Sequence, residues 1–525
     1  MHPDRELLFR GVDLFVGAGE KISIIGGNGT GKSTLLGIMS GALKPAGGEL
    51  SYEGTVYCVP QHFGQYDGLT VAGALGVEPR IAALRSILAG DVSEANYAAL
   101  DDDWQVEEHA ESALARWGMG DAGLMRRMSE FSGGEKTRIF LAGIELYQPS
   151  SVLMDEPTNH LDTAARRLLY ETIRLSKASI VVVSHDRALL NLIGTTYELT
   201  PTGLVRYGGN YEFYKQQREQ ELHALQSRIE EKGKALRLAR RTATEAMERK
   251  NRENARGARK QKGEGVPRIM MDTIRGKAEA TTARLKDVHS EKIGGIADEL
   301  HRKRQQLPPA RQLKVDLDDS ALHRGKLLIE ARDMNFGYGG EPLWEPPLTF
   351  RIESGDRIVV RGDNGSGKTT LMRIILGLLE PLSGIVRRTE FTHLYLDQDY
   401  SLIDDEFTVF GQVSQFNGRC LPEHEIKTLL HRFLFPAGTW DKRCSALSGG
   451  EKMRLVFCCL LASNGTPDLF VLDEPTNNLD IQSLETVTAA LREYRGTVLV
   501  ISHDDYFIGE IGAGLQIVLE RNTGK

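Results

Sequence analysis

Short apolar runs that end at glycine-rich or acidic segments recur along this chain. Residues 21–25 (KISII) and 357–360 (RIVV) are apolar runs of strand length, and each is predicted to be a buried strand. Each run leads into a glycine-rich loop, and the residues after that loop have the apolar spacing of a helix. Residues 152–154 and 470–472 are two further apolar runs, each followed by Asp-Glu. The pattern predicts an α/β fold whose buried strands carry polar side chains at their ends.

Four short motifs occur twice in the same order, once in each half of the chain. The pairs are GGNGTGKST at 26–34 with GDNGSGKTT at 362–370, FSGGEKTR at 131–138 with LSGGEKMR at 447–454, VLMDEPTNHLD at 152–162 with FVLDEPTNNLD at 470–480, and VVVSHD at 181–186 with VLVISHD at 498–504. Asp155 precedes His185 by 30 positions, and Asp473 precedes His503 by the same 30. Repetition of ordered motifs at equal spacing indicates a tandem duplication.

The segment between the two halves has a different composition. Residues 215–305 contain 24 Lys and Arg against 14 Asp and Glu, a net charge of +10, which leaves −17 on the rest of a chain whose total is −7. The segment is rich in helix-forming residues and is interrupted by KGEGVPR at 262–268. We therefore predict two long antiparallel helices joined by a basic turn. The first, about 215–256, would be roughly 60 Å long.

Composition excludes several classes of protein. The chain has 525 residues, of which 41% are hydrophobic and 26% charged, and its mean hydropathy is −0.30. It contains no apolar run near the roughly 18 residues that cross a bilayer, and its start lacks a signal-peptide pattern. Five cysteines show neither metal-site spacing nor a disulfide framework. These features argue against a membrane-embedded protein, a secreted scaffold and a disordered chain, and they predict a cytoplasmic location without direct membrane insertion.

The GxxxxGK[ST] loops are candidate polyphosphate sites. Such a loop surrounds phosphates with backbone N–H groups, and its strand–loop–helix context favours this function over a structural glycine-rich turn. Lys32 and Lys368 would neutralise phosphate oxygens, and the hydroxyls of Ser33 and Thr369 would bind Mg²⁺. The predicted nucleotide-binding residues are Gly26, Gly27, Asn28, Gly29, Thr30, Gly31, Lys32, Ser33 and Thr34 in the first half, and Gly362, Asp363, Asn364, Gly365, Ser366, Gly367, Lys368, Thr369 and Thr370 in the second.

The Asp-Glu pairs at the strand ends are candidate catalytic groups. Asp155 and Asp473 would hold Mg²⁺ directly or through water, and Glu156 and Glu474 would polarise the attacking water. An acidic residue at a strand end can also cap a following helix. Capping alone does not explain why both copies continue as PTN-x-LD.

Two further pairs are predicted to lie beside the phosphates. His185 and His503 each follow an apolar run and a serine, and their matched spacing favours contact with the γ-phosphate over a purely structural function. Gln61 and Gln398 lie 29 and 30 positions after the lysines of their loops. They are predicted to order Mg²⁺ or water, with a surface glutamine as the alternative.

The SGGE motif predicts a second anion site in each half. A serine and two glycines that open a helix present backbone N–H groups to an anion. The residues concerned are Ser132, Gly133, Gly134 and Glu135 in the first half and Ser448, Gly449, Gly450 and Glu451 in the second. Because each half already has its own phosphate loop, we predict head-to-tail pairing within the chain, with ATP between the loop of one half and the SGGE of the other.

This set of motifs resembles that of the ATP-binding cassette (ABC) ATPases, and the tandem cassettes with a basic linker resemble the ABC-F subfamily. GGNYEFYKQQRE at 208–219 is especially similar to that subfamily. The resemblance implies two P-loop NTPase domains of the ABC type joined by a long α-helical hairpin. The predicted boundaries are 1–214 for the first domain, 215–310 for the linker and 325–525 for the second domain. The implied activity is hydrolysis of ATP with Mg²⁺.

The same resemblance implies a ribosome-directed function. ABC-F proteins act near the tRNA exit site as translation factors or protect ribosomes from antibiotics, and their linker extends towards tRNA. Considered alone, a basic helical pair could equally be a solvated tether, although its charge concentrates any attraction for phosphate on one segment. The linker contains no aromatic residue, which favours contact with RNA backbone over base stacking. The predicted contacts are Arg237, Arg240, Arg241, Arg249, Arg252, Arg256, Arg259, Lys260 and Lys262.

The chain also departs from the family pattern. Tyr338, 24 positions before Gly362, is where the family stacks an aromatic ring on adenine, but the same count from Gly26 gives His2. The usual first strand is therefore absent from the first domain, and weak adenine binding or a different chain start would follow. The first domain also has about 20 additional residues, predicted within 76–118.

Two other classes of protein fit the sequence less well. The ATP-binding subunit of a membrane transporter would need a separate membrane protein and has no use for a basic linker. A DNA-maintenance ATPase would need zinc modules or very long coiled coils within the cassette, and the sequence contains neither. We expect a monomer whose two cassettes pair internally, with ribosome and tRNA as partners.

Overall fold

The computed structural model describes residues 8–263, 268–305, 322–338, 341–398, 400–477 and 479–520. The chain divides into two compact units, one containing both repeated halves and the other formed by residues 215–311. Because this division does not separate the two halves from each other, the three predicted domain boundaries remain predictions. We refer to the halves as the first and second cassette and to 215–311 as the linker.

The first cassette is built on a six-stranded sheet in the order β2-β3-β4-β1-β5-β6. Its strands are parallel except β6, which runs antiparallel to β5. The strands are β1 (Lys21–Ile25), β2 (Val56–Val59), β3 (Ser151–Asp155), β4 (Ser179–Val183), β5 (Thr195–Thr200) and β6 (Gly203–Tyr207), and the helices are α1 (Lys32–Met39), α2 (Val71–Leu75), α3 (Glu78–Leu88), α4 (Glu94–Leu100), α5 (Val106–Arg116), α6 (Gly133–Tyr147), α7 (Thr163–Leu175) and α8 (Arg187–Asn191). The apolar runs at 21–25 and 152–154 are therefore strands, as the pattern predicts.

The second cassette repeats this arrangement in a five-stranded parallel sheet, β11-β12-β13-β9-β14. A separate three-stranded antiparallel sheet has the order β10-β7-β8. The strands are β7 (Leu327–Asn335), β8 (Leu348–Glu353), β9 (Arg357–Arg361), β10 (Ser383–Arg388), β11 (His393–Leu396), β12 (Leu469–Asp473), β13 (Thr497–Ile501) and β14 (Leu515–Val518), and the helices are α11 (Lys368–Ile375), α12 (Val409–Gln415), α13 (Glu423–Arg432), α14 (Gly449–Ala462), α15 (Ile481–Glu493) and α16 (Asp505–Glu510).

The parallel sheets bring the motifs to one edge of each cassette. The glycine-rich loop follows β1, Asp155 ends β3, and His185 follows β4, which lies between β1 and β3. Every residue of β4 is buried, as expected for a central strand covered on both faces. Because the carboxyl ends of parallel strands meet at one edge of the sheet, groups distant in sequence become neighbours there.

The two cassettes differ in two places. Between α2 and α6 the first cassette has three helices, α3 to α5, whereas the second has α13 between α12 and α14. These helices lie within 76–118, the range predicted to contain about 20 additional residues. In addition, no strand is assigned to residues 8–20 or 40–55 of the first cassette, which precede β1 and β2. An equivalent of the β10-β7-β8 sheet is therefore not present among the described residues of that cassette, and His2 lies outside them.

The linker consists of two helices, α9 (Tyr211–Gly263) and α10 (Arg268–Gln305). The prediction of two long helices is confirmed, but the predicted end of the first near residue 256 is wrong. The 53 residues of α9 correspond to about 80 Å. Of the predicted break at 262–268, residues 262, 263 and 268 are helical, and 264–267 lie outside the described residues. Lys232 Nζ lies 2.8 Å from Glu299 Oε2, and these positions are equally distant from the break, as in an antiparallel hairpin.

None of the described helices is both long and apolar enough to cross a membrane.

Candidate functional site

Each glycine-rich loop closes around the lysine that follows it. Lys32 Nζ donates hydrogen bonds to Gly26 O at 2.7 Å and Gly27 O at 3.1 Å. In the second cassette Lys368 Nζ donates to Gly362 O at 2.8 Å and to Asp363 O at 3.1 Å. Burial lowers the pKa of both lysines, and neighbouring carboxylates oppose that effect. Both ammonium groups thus lie at the mouth of a loop whose geometry suits a polyphosphate.

Glycine is required where each loop becomes a helix. Gly31 and Gly367 are the N-caps of α1 and α11, with φ of 93° and 90°. A Cβ at Gly31 would lie 2.9 Å from the Phe9 ring, and one at Gly367 would lie 2.5 Å from Leu343. Both the left-handed backbone and the lack of space exclude a side chain. The two helices therefore begin close against the loop, with their N-termini facing the phosphate site.

The predicted magnesium ligands lie together in both cassettes. Burial raises the pKa of Asp155, and the neighbouring Ser33 hydroxyl opposes that effect; in the second cassette Thr369 Oγ1 donates to Asp473 Oδ2 at 3.3 Å. Asp155 Oδ1 is buried and has no hydrogen-bond partner among the described residues. An unpaired carboxylate oxygen beside a hydroxyl fits a divalent cation that takes its other oxygens from a nucleotide and water. Their function as ligands remains a prediction.

The candidate bases Glu156 and Glu474 are buried and lie in an unusual backbone conformation. Both have φ of 49°, which is rare for residues other than glycine and is often found at functional sites. Burial raises the pKa of Glu156 to about 8 and that of Glu474 to about 7. A carboxyl group with a pKa near neutrality is suited to general-base chemistry.

The two histidines lie beside these glutamates. His185 Nε2 is 3.3 Å from Glu156 Oε1, and His503 Nε2 is 3.3 Å from Glu474 Oε1. The backbone N–H of His185 also donates to Glu156 Oε2 at 3.2 Å. Burial and a neighbouring lysine lower the pKa of both imidazoles to about 3, so both are neutral at pH 7. The predicted base and the predicted γ-phosphate contact are thus adjacent in each cassette.

The SGGE motifs cap helices α6 and α14. Ser132 and Ser448 are the N-caps, and each forms a reciprocal capping box with the glutamate three residues later. Glu135 Oε2 accepts from Ser132 N and from Ser132 Oγ, both at 2.7 Å. The glutamates, predicted as nucleotide contacts, therefore have their carboxylates engaged in the cap. The glycine N–H groups at the helix start are the better donors for an anion.

The structure places the loop of each cassette against the SGGE of the other. A Cβ at Gly134 would lie 3.2 Å from Asn364 Nδ2, and one at Gly450 would lie 3.5 Å from Asn28 Nδ2. The Asn364 amide also donates to His160 O at 3.0 Å. This is the head-to-tail arrangement that the two anion sites predict.

The glutamines and Tyr338 are less closely engaged. Gln61 is partly buried and Gln398 is exposed. Tyr395, rather than Gln398, reaches the second aspartate, with its hydroxyl donating to Asp473 Oδ2 at 3.2 Å. Tyr338 is 68% exposed, and its hydroxyl is 3.0 Å from Thr370 Oγ1. Its ring is therefore accessible beside the phosphate loop.

Sequence reasoning missed contacts made by the residues that follow PTN. Asp480 caps α15 and also accepts at 3.0 Å from the backbone N–H of Asn28 in the other cassette. Thr163 Oγ1 lies 3.0 Å from His503 Nδ1. The repeated NHLD and NNLD segments were a visible signal, but nothing in the sequence indicates that they cross to the opposite site.

Comparison with known families agrees with this geometry. The family model described as ABC transporter matches residues 9–159 and 346–477. The chain is 31% identical to the ATP-binding protein Uup of Haemophilus influenzae, over 94% of this chain and 74% of that protein. It is 28% identical to ABC transporter F family member 5 of Arabidopsis thaliana, over 94% and 70%. The chain belongs to the ATP-binding cassette ATPases, within the ABC-F subfamily, and its cassettes bind and hydrolyse ATP.

Another relative and one solved structure are also similar over nearly the whole chain. The energy-dependent translational throttle protein EttA of Haemophilus influenzae is 29% identical over 97% of this chain and 88% of that protein. The archaeal ribosome recycling factor aABCE1, solved with the stalk protein aP1, has a TM-score of 0.57 at 21% identity, over 96% of this chain and 84% of that one. At that identity the likeness shows the fold of the paired cassettes.

Proposed function

We propose that this ATPase binds the ribosome and tRNA through its basic linker in a manner controlled by ATP. The observation that carries the proposal is the net charge of +10 on residues 215–305, in a chain that is otherwise acidic. The similarity to a protein named as a translational throttle supports it. A cytoplasmic location and a single chain with internally paired cassettes are part of the same proposal.

ATP binding and hydrolysis by the cassettes would regulate this binding to the ribosome. Lys32 and Lys368 would bind phosphate oxygens, and Mg²⁺, held by Ser33 with Asp155 and by Thr369 with Asp473, would neutralise charge on the transferred group. Gln61 and Gln398 would order water near that ion. ATP joins the two cassettes because each nucleotide touches both. Its hydrolysis removes that link, so the nucleotide acts as a timer for binding.

In the hydrolytic step the two glutamates and two histidines act in pairs. Ionised Glu156 or Glu474 would orient the attacking water and accept its proton. The neighbouring His185 or His503, neutral at pH 7, would donate Nε2–H towards the γ-phosphate or the glutamate. The closeness of each pair, 3.3 Å in both cassettes, supports this division of roles.

The arginines of α9 are the proposed RNA contacts. Arg241 and Arg249 form ion pairs with glutamates four residues later but remain 79% and 84% exposed. Such exposed pairs contribute little and exchange readily for phosphate. Arg237 and Arg240 are exposed and form no ion pair with any described side chain. Of the other predicted contacts, Arg252 and Arg256 are exposed, and Arg259, Lys260 and Lys262 lie outside the residues whose side chains are described.

Co-sedimentation with 70S ribosomes tests the proposal. The double variant Glu156→Gln, Glu474→Gln should bind ATP without hydrolysing it and therefore pellet with ribosomes only when ATP is present. Pelleting should weaken as salt rises, because phosphate contacts release counterions. Absence of pelleting while ATP binding is intact would contradict the ribosome proposal.

A charge-matched control separates the linker from the rest of the surface. Adding Arg237→Ala and Arg240→Ala to the double variant should weaken binding and flatten its dependence on log salt by about 0.7 to 0.9 for each lost phosphate contact. The control pair Arg10→Ala and Lys44→Ala removes the same charge from exposed positions of the first cassette. Equal effects of both pairs would mean that the linker has no specific part.

The alternative is the ATP-binding subunit of an ABC transporter, favoured by the match to the family described as ABC transporter. It predicts ATP-dependent association with a separate membrane protein, and this association should not weaken when the linker arginines are replaced. Flotation of the double variant with membranes, in place of pelleting with ribosomes, would support it.

A further inference from the structure

One histidine of the candidate sites is held from the opposite cassette, and the other is not. Thr163 is the first residue of α7, directly after the NHLD segment of the first cassette, and its Oγ1 lies 3.0 Å from His503 Nδ1. His503 follows β13 of the second cassette, and its side chain is 7% exposed. A hydroxyl group of one cassette thus reaches the buried imidazole of the other.

The corresponding position in the second cassette cannot make this contact. Ile481 is the first residue of α15, directly after Asp480, and it has no hydroxyl group. It packs instead with the apolar cluster of Ile25, Leu190 and Tyr211. His185 Nδ1 is buried and lacks a hydrogen-bond partner within the described ranges. Because Thr163 has a hydroxyl group and Ile481 has none, Nδ1 of His503 has a hydrogen-bond partner and Nδ1 of His185 has none among the described residues.

A hydrogen bond at Nδ1 fixes the orientation of a neutral imidazole. A neutral histidine carries one N–H, so one ring nitrogen donates and the other accepts. His503 Nε2 lies 3.3 Å from Glu474 Oε1 and 3.5 Å from Lys368 Nζ, whose ammonium group can only donate. Nδ1 is the acceptor when Nε2–H faces the glutamate, and it carries the N–H when Lys368 donates to Nε2. The hydroxyl of Thr163 is a suitable partner in both cases because it can donate or accept.

We propose that Thr163 is a positioning residue that holds the imidazole of His503 in place from the opposite cassette, so that the second site hydrolyses ATP faster than the first. The inference rests on the proposed function of His503 in hydrolysis. It makes the two composite sites chemically unequal, although their loops, carboxylates and histidines match.

The test uses variants in which only one of the two sites can hydrolyse ATP. With Glu156→Gln present, the remaining ATPase activity reports the second site. Adding Thr163→Val, which keeps the shape and removes the hydroxyl, should lower kcat about fivefold, the effect of one hydrogen bond. The KM for ATP should stay within about twofold of its starting value, because the hydroxyl group contacts His503 and not the phosphate loop. Thr163→Ser should restore most of the rate.

The mirror experiment uses the first site. In the Glu474→Gln background, Ile481→Thr supplies a hydroxyl to His185 and should raise kcat by about twofold to fivefold. Ile481→Val is the control, since it changes the packing without adding a donor, and it should leave the rate unchanged. This arm decides the matter if Thr163→Val fails to fold, as judged by its thermal transition and its binding of a fluorescent ATP analogue.

The outcomes separate the inference from the function on which it depends. If His503→Gln abolishes the activity of the second site while Thr163→Val has no effect, the inference is wrong and the histidine assignment stands. Equal losses in Thr163→Ser and Thr163→Val would show a packing effect, which also overturns the inference. A normal rate in His503→Gln would contradict both the assignment and the inference.

Discussion

Arg187 of the first cassette forms an ion pair with Glu510 of the second, with Nη1 and Oε2 2.6 Å apart. The arginine begins α8, two residues after His185, and its side chain is 1% exposed, whereas that of Glu510 is 35% exposed. The Nε and Nη2 atoms of Arg187 are buried and have no other partner in the described part of the chain. This contact between the cassettes therefore depends on a buried cation whose one ion-paired carboxylate, among the described residues, is that of Glu510.

Removal of the carboxylate should destabilise the paired cassettes. Glu510→Gln leaves the buried guanidinium without its counter-ion, and we expect the free energy of unfolding to fall by about 2 kcal/mol, less than for a fully buried pair because water reaches Glu510. Arg187→Met, which fills the same space without a charge, should cost less. Chemical denaturation of both variants and of the double variant provides the measurement.

The double variant Glu510→Gln, Arg187→Met measures the coupling energy between the two groups. If the two groups act as a pair, Arg187→Met should suppress most of the effect of Glu510→Gln, giving a coupling energy above about 0.5 kcal/mol. Additive effects of the two substitutions would mean that the ion pair contributes nothing to the association of the cassettes.

The buried glutamate of the first site predicts a pH-dependent stability. Burial raises the pKa of Glu156 from its usual value of 4.5 to about 8, while Lys32 opposes and Asp155 adds to that effect. Folding therefore takes up a proton between these values. The resulting stabilisation is complete below about pH 4.5 and is lost as the pH rises through about 8.

Glu156→Gln removes this titration. Compared with the parent protein, the variant should gain stability steadily between about pH 5 and pH 8, by up to roughly 1.4 kcal/mol for each pH unit. Denaturant unfolding of the nucleotide-free proteins across this range is the measurement. Glu299→Gln in the linker is the control, because Lys232 lowers the pKa of Glu299 and its titration falls below that range. Parallel stability curves for Glu156→Gln and the parent would contradict the raised pKa.

Much of the candidate site at the carboxyl ends of the parallel strands could be predicted, because short stretches of consecutive residues specify it. A strand that runs into GxxxxGK[ST], or one that ends on Asp-Glu, is defined by consecutive residues, and duplication of the motifs indicated that two sheets of one kind would form. The pairing of each phosphate loop with the SGGE motif of the other half was also predictable, because each half contains two anion sites and a nucleotide can bridge one from each half. Asn28 lies near Gly450 and Asn364 near Gly134 for this reason.

The rest depends on contacts that no local pattern encodes. Thr163 and Ile481 occupy equal positions after NHLD and NNLD, yet their different chemistry matters only because α7 and α15 each begin beside a histidine of the opposite cassette. The engagement of Glu135 in its own helix cap depends on side-chain direction, which the SGGE string does not specify. Helix α9 continues to Gly263, beyond the end predicted near residue 256, because the arginines and lysines of this stretch continue a helix well.

The exposed ring of Tyr338 predicts an unequal recognition of adenine. Tyr338 lies beside the second phosphate loop, with its ring in edge contact with Phe336 at a centroid distance of 5.2 Å. A stacked adenine should gain about 0.5 to 1.5 kcal/mol from such a ring. In the Glu156→Gln background, Tyr338→Ala should therefore raise the KM for ATP about threefold to tenfold with little change in kcat. Tyr338→Phe keeps the ring and should behave like its parent.

The same substitution measured at the first site supplies the control. In the Glu474→Gln background, Tyr338→Ala should leave the KM unchanged, because the ring lies beside the loop of the second cassette. If the ring stacks on the base with a preference for adenine, the difference in KM between Tyr338→Ala and its parent at the second site should be smaller with GTP than with ATP. An equal rise in KM at both sites would show that Tyr338 supports the fold of the cassette pair and does not bind the base.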